Sequence, residues 1–366
     1  PLLVFLHGRH NTCAADASAQ TTMVWPCPTG FHEIPSYLGY EYVADVLASN
    51  GFIVVSIGAN GISAADDGVS DRGMAARADL VMRHLQLWAA FNNTTTSTYG
   101  SLFTGRVNLN NIGLMGHSRG GEGVVQAFLL NASQVNPFGI RAVFPLAPVD
   151  FNRPLLNNVP LGVMLPYCDG DVSDLQGLHF YDDARYNVAN DSGAKYTFLV
   201  MGANHNFFNT FWTTGQYAGG SDDWFNLQNA NTDPFCSPNQ AGNGRLSTAQ
   251  QRGTLVGYLS AFFRTHLKNE FQFAPILQGD APPPPSAATS AIKVSYHAPG
   301  TASARRDVNR WNSTTSLTTD FLGGAVTTAN LAQHRVCGGD APILQFCLSS
   351  STTTQFAREP HSGVSL

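Results

Sequence analysis

The stretch NIGLMGHSRGGEGVVQAFLL, residues 111–130, decides the fold. Its apolar opening, Ile112 to Met115, reads as a strand buried on both faces, and Glu122 to Leu130 reads as a helix. Between them Gly116-His117-Ser118-Arg119-Gly120 matches G-x-S-x-G. A serine lifted off the end of a strand must sit on a tight, strained turn, and glycines beside it leave room where a side chain would strike the next strand or helix. The bland alternative is an ordinary Gly-rich turn with Ser118 serving only as a helix N-cap. Strand before and helix after favour the nucleophile.

Working outward, short apolar runs alternate with amphipathic stretches from Leu2 to about Asn269, the pattern of a parallel sheet flanked by helices. Strands are predicted at Leu2 to Leu6, Phe52 to Ile57, Ala142 to Leu146, Gly162 to Pro166 and Tyr196 to Met201. Helices are predicted at Glu41 to Ser49, Met74 to Phe91 and Ser247 to Leu267, the last opened by a Ser247/Gln250 capping box. The fold class is therefore α/β, with a catalytic domain over residues 1–270. A Pro-rich linker over 279–290 is expected to act as a stiff spacer. A small β-rich accessory domain follows over 291–366, where Cys337 and Cys347 are expected to close a hairpin. Pro1 to Leu6 already reads as a strand, with no initiator methionine or signal peptide before it, so the chain looks truncated at its start.

Of the 366 residues, 43% are hydrophobic and 12% charged, enough apolar material for a large core. A net charge of −5 without any Lys/Arg-rich run argues against nucleic acid or an anionic membrane as partner. No apolar stretch approaches the roughly 20 residues that span a bilayer. None of the six cysteines falls in a C-x-x-C pair, so disulfides are expected, and with them an oxidising compartment and a secreted protein. Proximity suggests Cys13 with Cys27 and Cys337 with Cys347, leaving Cys168 with Cys236, although other connectivities stay open.

Serine is a weak nucleophile until a base takes its proton. His205, just past the Tyr196 to Met201 strand, is placed to do so; His179 comes too early and His266 lies in the closing helix. The acid should follow the strand between nucleophile and base. Asp169, Asp171 and Asp174 all qualify, and Asp171 is preferred because Gly170 precedes it as a turn residue. The backbone N–H groups of Arg119 and, after the first strand, of Arg9 are expected to receive the oxyanion. His7 and His10 have H-x-x-H spacing, but without a third ligand they read as turn residues, and neither metal nor cofactor is called for.

With His7-Gly8, the Ser118 elbow, Asp171 and His205 in this order, the sequence resembles the α/β-hydrolase superfamily over about Pro1 to Asn269. The run His117 to Gly121 resembles that of chlorophyllases, while the compact layout and cysteines resemble secreted polyester hydrolases and dienelactone-hydrolase-type esterases. The resemblance implies a serine carboxylic-ester hydrolase acting as a monomer on small or polymeric esters. The turn His7-Gly8-Arg9-His10 departs from it by lacking the triple glycine of hormone-sensitive-lipase relatives. Two rival readings stay open: a serine peptidase or amidase using the same triad, and a catalytically silent binding protein of this fold.

The connection Ala147 to Leu161 is too short for the usual lid. A long insertion instead follows His205, from Asn206 to Arg245. Its aromatic residues, Phe207, Phe208 and Trp212 foremost, either rim the substrate site or form the insertion's own small core.

Overall fold

The computed structural model describes residues 1–15, 19–215, 217–225, 233, 235–238, 244–303, 305–309, 316 and 318–327. In chain order its strands and helices are β1 (Leu2–Leu6), β2 (Cys13–Ala15), β3 (Thr21–Thr22), β4 (Phe31–Glu33), α1 (Glu41–Ser49), β5 (Ile53–Ile57), α2 (Asn60–Ser63) and α3 (Met74–Asn92). There follow β6 (Ile112–His117), α4 (Arg119–Ala132), β7 (Ile140–Leu146), β8 (Leu161–Pro166), α5 (His179–Ala184), β9 (Lys195–Val200), α6 (Thr248–Lys268), α7 (Ala274–Gln278) and β10 (Ile292–His297).

Seven strands form one sheet in the order β10-β9-β8-β7-β6-β1-β5, parallel throughout except for β10, which pairs antiparallel with β9. Because side chains alternate across a strand, the all-apolar β1 serves two cores at once. Leu3 and Phe5 pack on one face with Val43 and Leu47 of α1 and Leu259, Phe262 and Phe263 of α6. Leu2, Val4 and Leu6 pack on the other with Val81 and Leu85 of α3, Val124 and Val125 of α4, and Phe180 of α5. Every strand and helix predicted up to Asn269 is present, its ends shifted by up to three residues. Ser247 caps α6 through the expected reciprocal bonds with Gln250. The architecture is the α/β-hydrolase fold.

Chain order departs from neighbour order at one place that matters for function. From β1 the chain moves outward to β5 and then returns to β6 on the opposite side of β1. Between β1 and β6 the connections diverge, leaving a crevice at the carboxyl ends of the strands. The Gly8 turn leaves β1 there, and Ser118 leaves β6.

The C-terminal expectation needs correcting. Strand β10, assigned from sequence to an accessory domain beginning at residue 291, is the edge strand of the main sheet, with Ile292 opposite Val200 and Tyr296 opposite Tyr196. The Pro-rich stretch is no free spacer either. It lies on α6, where a Cβ added to Gly257 would come within 2.4 Å of Pro284 Cγ and where Thr254 Oγ1 meets Ser290 Oγ at 2.7 Å. Prolines need no partner for an N–H they lack, so such a segment can run along a helix without joining any ladder. The Cys337/Cys347 hairpin lies outside the described residues.

A three-stranded sheet, β3-β2-β4, stands beside the crevice and is tied by the Cys13–Cys27 disulfide. A second disulfide joins Cys168 to Cys236, as the sequence suggested. Among the described residues no helix is long and apolar enough to cross a membrane.

Candidate active site

Ser118 has φ 57° and ψ −126°, a region that L-residues avoid. The neighbouring backbone imposes it. A Cβ on Gly120 would fall 2.3 Å from the Leu6 carbonyl oxygen, so β1 and the start of α4 approach as closely as only glycine permits. The Ser118 N–H donates to Leu146 O at 2.9 Å and its carbonyl accepts from Gly121 N at 2.8 Å, which fixes the turn at both ends. Ser118 thus stands at the N-terminus of α4, where the helix dipole favours negative charge.

His205 is 2% exposed and follows β9 by a short turn. Its Nδ1 meets Asp169 Oδ2 at 2.8 Å, while its Nε2 has no hydrogen-bond partner among the described residues. The His117 and His205 rings lie 4.8 Å apart, which brings the histidine beside the serine elbow. Burial opposes the imidazolium, but the charge and hydrogen bond of Asp169, with Asp171 and Asp223 behind it, raise the His205 pKa overall.

The sequence reading preferred Asp171 as the residue behind His205; the structure puts Asp169 there. Asp169 is fully buried and spends its second oxygen on the N–H groups of Asp171 (2.9 Å) and Val172 (2.7 Å). Asp171 is 64% exposed at its side chain and approaches the other nitrogen, Nε2, at 3.5 Å. The physical reason is the tightness of the bend after β8. Asp169 is the last residue still under the sheet edge, held by Cys168 N to Ala203 O at 2.7 Å and by its own N–H to Pro166 O, so by Asp171 the chain faces solvent. Asp174 is further off and accepts from Gln176.

In front of Ser118, Gly8 allows the close approach on which the crevice depends, since a Cβ there would fall 2.5 Å from Ser118 Cβ. Buried His7 ties this turn to the segment after β5: Nδ1 lies 2.8 Å from Gly8 O, and Nε2 accepts from Ala59 N at 2.7 Å. Two such bonds require the neutral ring protonated on Nδ1, and burial pushes its pKa down to about 3. A trans peptide sets C=O and N–H in opposite directions. Anchoring Gly8 O on His7 therefore turns the Arg9 N–H the other way. Arg119, first residue of α4, has an N–H for which the helix supplies no acceptor.

A model of PET hydrolase-like proteins matches residues 13–218, more than half of the chain, and the matched span contains Ser118, Asp169 and His205. The chain belongs to the PET hydrolase-like family. It is a hydrolase of the α/β fold whose family acts on ester bonds. None of the curated proteins compared with it matches.

In this PET hydrolase-like chain the aromatic residues after His205 mostly face inward. Phe208 is fully buried in the core, which corrects its assignment to the substrate site. Phe207 is 8% exposed and packs edge-on against Trp224. Trp212 is 1% exposed, donates from Nε1 to Ser36 Oγ at 2.9 Å, and stacks parallel to His10 and His205 with centroids 5.2 and 6.3 Å away. It backs the imidazole rather than rimming a cleft. The open cavity beside the site, about 320 Å³, is lined instead by Arg9, His10, Met23, Asp171, Asn206 and Asp223 among others.

Sequence reasoning missed Asp223, whose carboxyl is pushed up to about 7, chiefly by burial. Asp169, His205 and Asp223 bring ligand atoms within 4.8 Å of one another, but the Asp169–His205 hydrogen bond already engages two of the three residues. The His7/His10 pair is no metal site by the same measure, since both nitrogens of His7 are engaged by backbone.

Proposed function

We propose that the protein is a secreted serine carboxylic-ester hydrolase that acts through an acyl-enzyme on small or polymeric esters. One observation carries the reading: a buried imidazole, tied through Nδ1 to a buried carboxylate, keeps its Nε2 free of hydrogen bonds among the described residues, beside a serine held at φ 57°. Ser118 Oγ attacks the ester carbonyl carbon as His205 Nε2 takes its proton. Asp169 holds the tautomer and stabilises the imidazolium without taking the proton itself. The carbonyl oxygen gains negative charge and is received by the Arg9 and Arg119 N–H groups. Collapse expels the alcohol, protonated by His205. Water, deprotonated by the same nitrogen, then releases the acid and restores Ser118.

The two disulfides support an extracellular site of action. The reading is tested by hydrolysis of p-nitrophenyl esters from acetate to palmitate beside a p-nitroanilide panel, with wild type and Ser118→Ala. Ester turnover should fall by about 10⁶-fold in the variant, the scale expected when a triad nucleophile is removed. Turnover of anilides alone would make the protein an amidase, and no turnover of either would leave a binding protein.

A further inference from the structure

The two residues whose N–H groups face the developing oxyanion are both arginines, and their side chains meet on one acidic turn. Arg9 Nε donates to Asp66 Oδ1 at 3.0 Å, and Arg119 Nη1 lies 2.9 Å from the same oxygen as an ion pair without hydrogen-bond alignment. Arg77, fully buried on α3, donates from Nη2 to the other oxygen at 2.7 Å. Asp67 next door pairs with both Arg9 and Arg119, at 3.0 Å for Arg119 Nη2. The Asp66 side chain is 0% exposed, whereas that of Asp67 is 57% exposed. Salt therefore screens Asp67 and barely reaches Asp66.

We propose that Asp66 is a positioning residue that pre-organises the oxyanion hole, by clamping the side chains of the two residues that supply its backbone donors. The proposal rests on the ester-hydrolase reading of Ser118. Arg9 sits in an irregular turn after β1, Arg119 in the first turn of α4, and the crevice between them has no ladder bond to fix their spacing. A donor contributes to catalysis only if it already stands where the charge will form. A carboxylate gripping both arginines holds that spacing from behind, anchored in turn by Arg77. Three guanidinium groups against two carboxylates also leave a positive surplus on the side where the oxyanion forms.

The test compares wild type, Asp66→Asn and Arg9→Met on p-nitrophenyl acetate, with pH–rate profiles and inhibition by a boronic acid that forms a tetrahedral adduct with Ser118. Losing an oxyanion donor outright costs about 10²–10³ in kcat, so Asp66→Asn, which only loosens two donors, should cost about 10- to 100-fold. KM should stay within about twofold, boronate inhibition should weaken in step with kcat, and the pH midpoint set by His205 should not move. Arg9→Met removes one arm and leaves Asp66 paired with Arg77; it should show the same pattern, smaller, and it decides the matter if Asp66→Asn fails to fold. Folded variants with wild-type kcat overturn the clamp, as does a loss carried by KM or by a shifted pH midpoint. A wild type that turns over no ester overturns the hydrolase reading and the clamp with it, whereas an active wild type with indifferent variants overturns the clamp alone.

Discussion

Ser118 and the Gly8–Arg9 turn stand on the ends of β6 and β1, in the middle of the sheet, whereas Asp169 and His205 stand on loops after β8 and β9, toward its edge. The central half is held by close backbone approach, such as that of Gly120 to Leu6, and by the buried Asp66 cluster. The outer half is held by long-range ties between loops: the Cys168–Cys236 disulfide, Cys168 N to Ala203 O, and Phe225 N to Cys168 O at 2.9 Å. Sheet packing imposes the central geometry as far as the β1/β6 ladder runs, to Leu6 and Gly116, and only past the strand ends does the proposed Asp66 clamp come in. Geometry built on loops must be cross-linked, and so should be the easier half to loosen.

Among the changes that probe this contrast, the largest expected effect is the one that tests which aspartate serves His205. Asp169→Asn should lower kcat by about 10⁴-fold, the loss expected when a triad carboxylate no longer fixes the imidazole tautomer. Asp171→Asn, at an exposed side chain 3.5 Å from the opposite nitrogen, should leave kcat within a few-fold of wild type. Equal losses would mean that both carboxylates act on His205 and that the outer half has no single anchor.

Removing the covalent tie should come next. By the chain-entropy relation, the 68-residue separation of Cys168 and Cys236 corresponds to about 4 kcal/mol, and the 14-residue separation of Cys13 and Cys27 to about 3 kcal/mol. Denaturant midpoints of the paired Cys→Ser variants measure the difference. Only the Cys168/Cys236 pair should also lower kcat, because it alone adjoins the acid. If the Cys13/Cys27 pair lowered kcat as much, the contrast between the halves would be lost.

The smallest effect is a titration of opposite sign in the two halves. His7, pushed down to about 3 by burial, contributes stability that is full above the ordinary histidine pKa and lost as pH falls from about 6.5 toward 3. His205, raised by Asp169 against the opposing effect of burial, contributes stability that is full below about 6.5 and lost as pH rises through its folded value. NMR titration of the ring protons should therefore find His205 above and His7 below the free value. The kcat/KM midpoint of the acid limb should also lie above 6.5 and drop in Asp169→Asn. A His205 midpoint at or below 6.5 would break the picture of an imidazole governed by its carboxylate.

The tight turn at Ser118, the placement of His205 beside it and the central strands were legible because each rule behind them is local. Strand, glycine-flanked serine and helix are contiguous in residues 111–130, and a histidine after the last parallel strand has few competitors. Among Asp169, Asp171 and Asp174 nothing local discriminates, since all three suit a turn. Phe208 and Trp212 looked like cleft residues because an aromatic insertion has the same composition whether it faces solvent or core. Likewise, Asp66 carries no signal in its own neighbourhood, as its three arginine partners come from positions 9, 77 and 119.

By itself the sequence determined the continuous apolar runs and the period-3.6 apolar patterns, and with them the parallel sheet, its flanking helices, and the strained turn that lifts Ser118. Only the tertiary structure decided which aspartate meets His205 Nδ1, that Ile292 to His297 completes the main sheet, and that one buried carboxylate joins the side chains of Arg9 and Arg119. The physical reason is range. Backbone sterics and hydrophobic periodicity act between residues a few positions apart, whereas burial and charge pairing depend on which distant segments the closed sheet brings into contact.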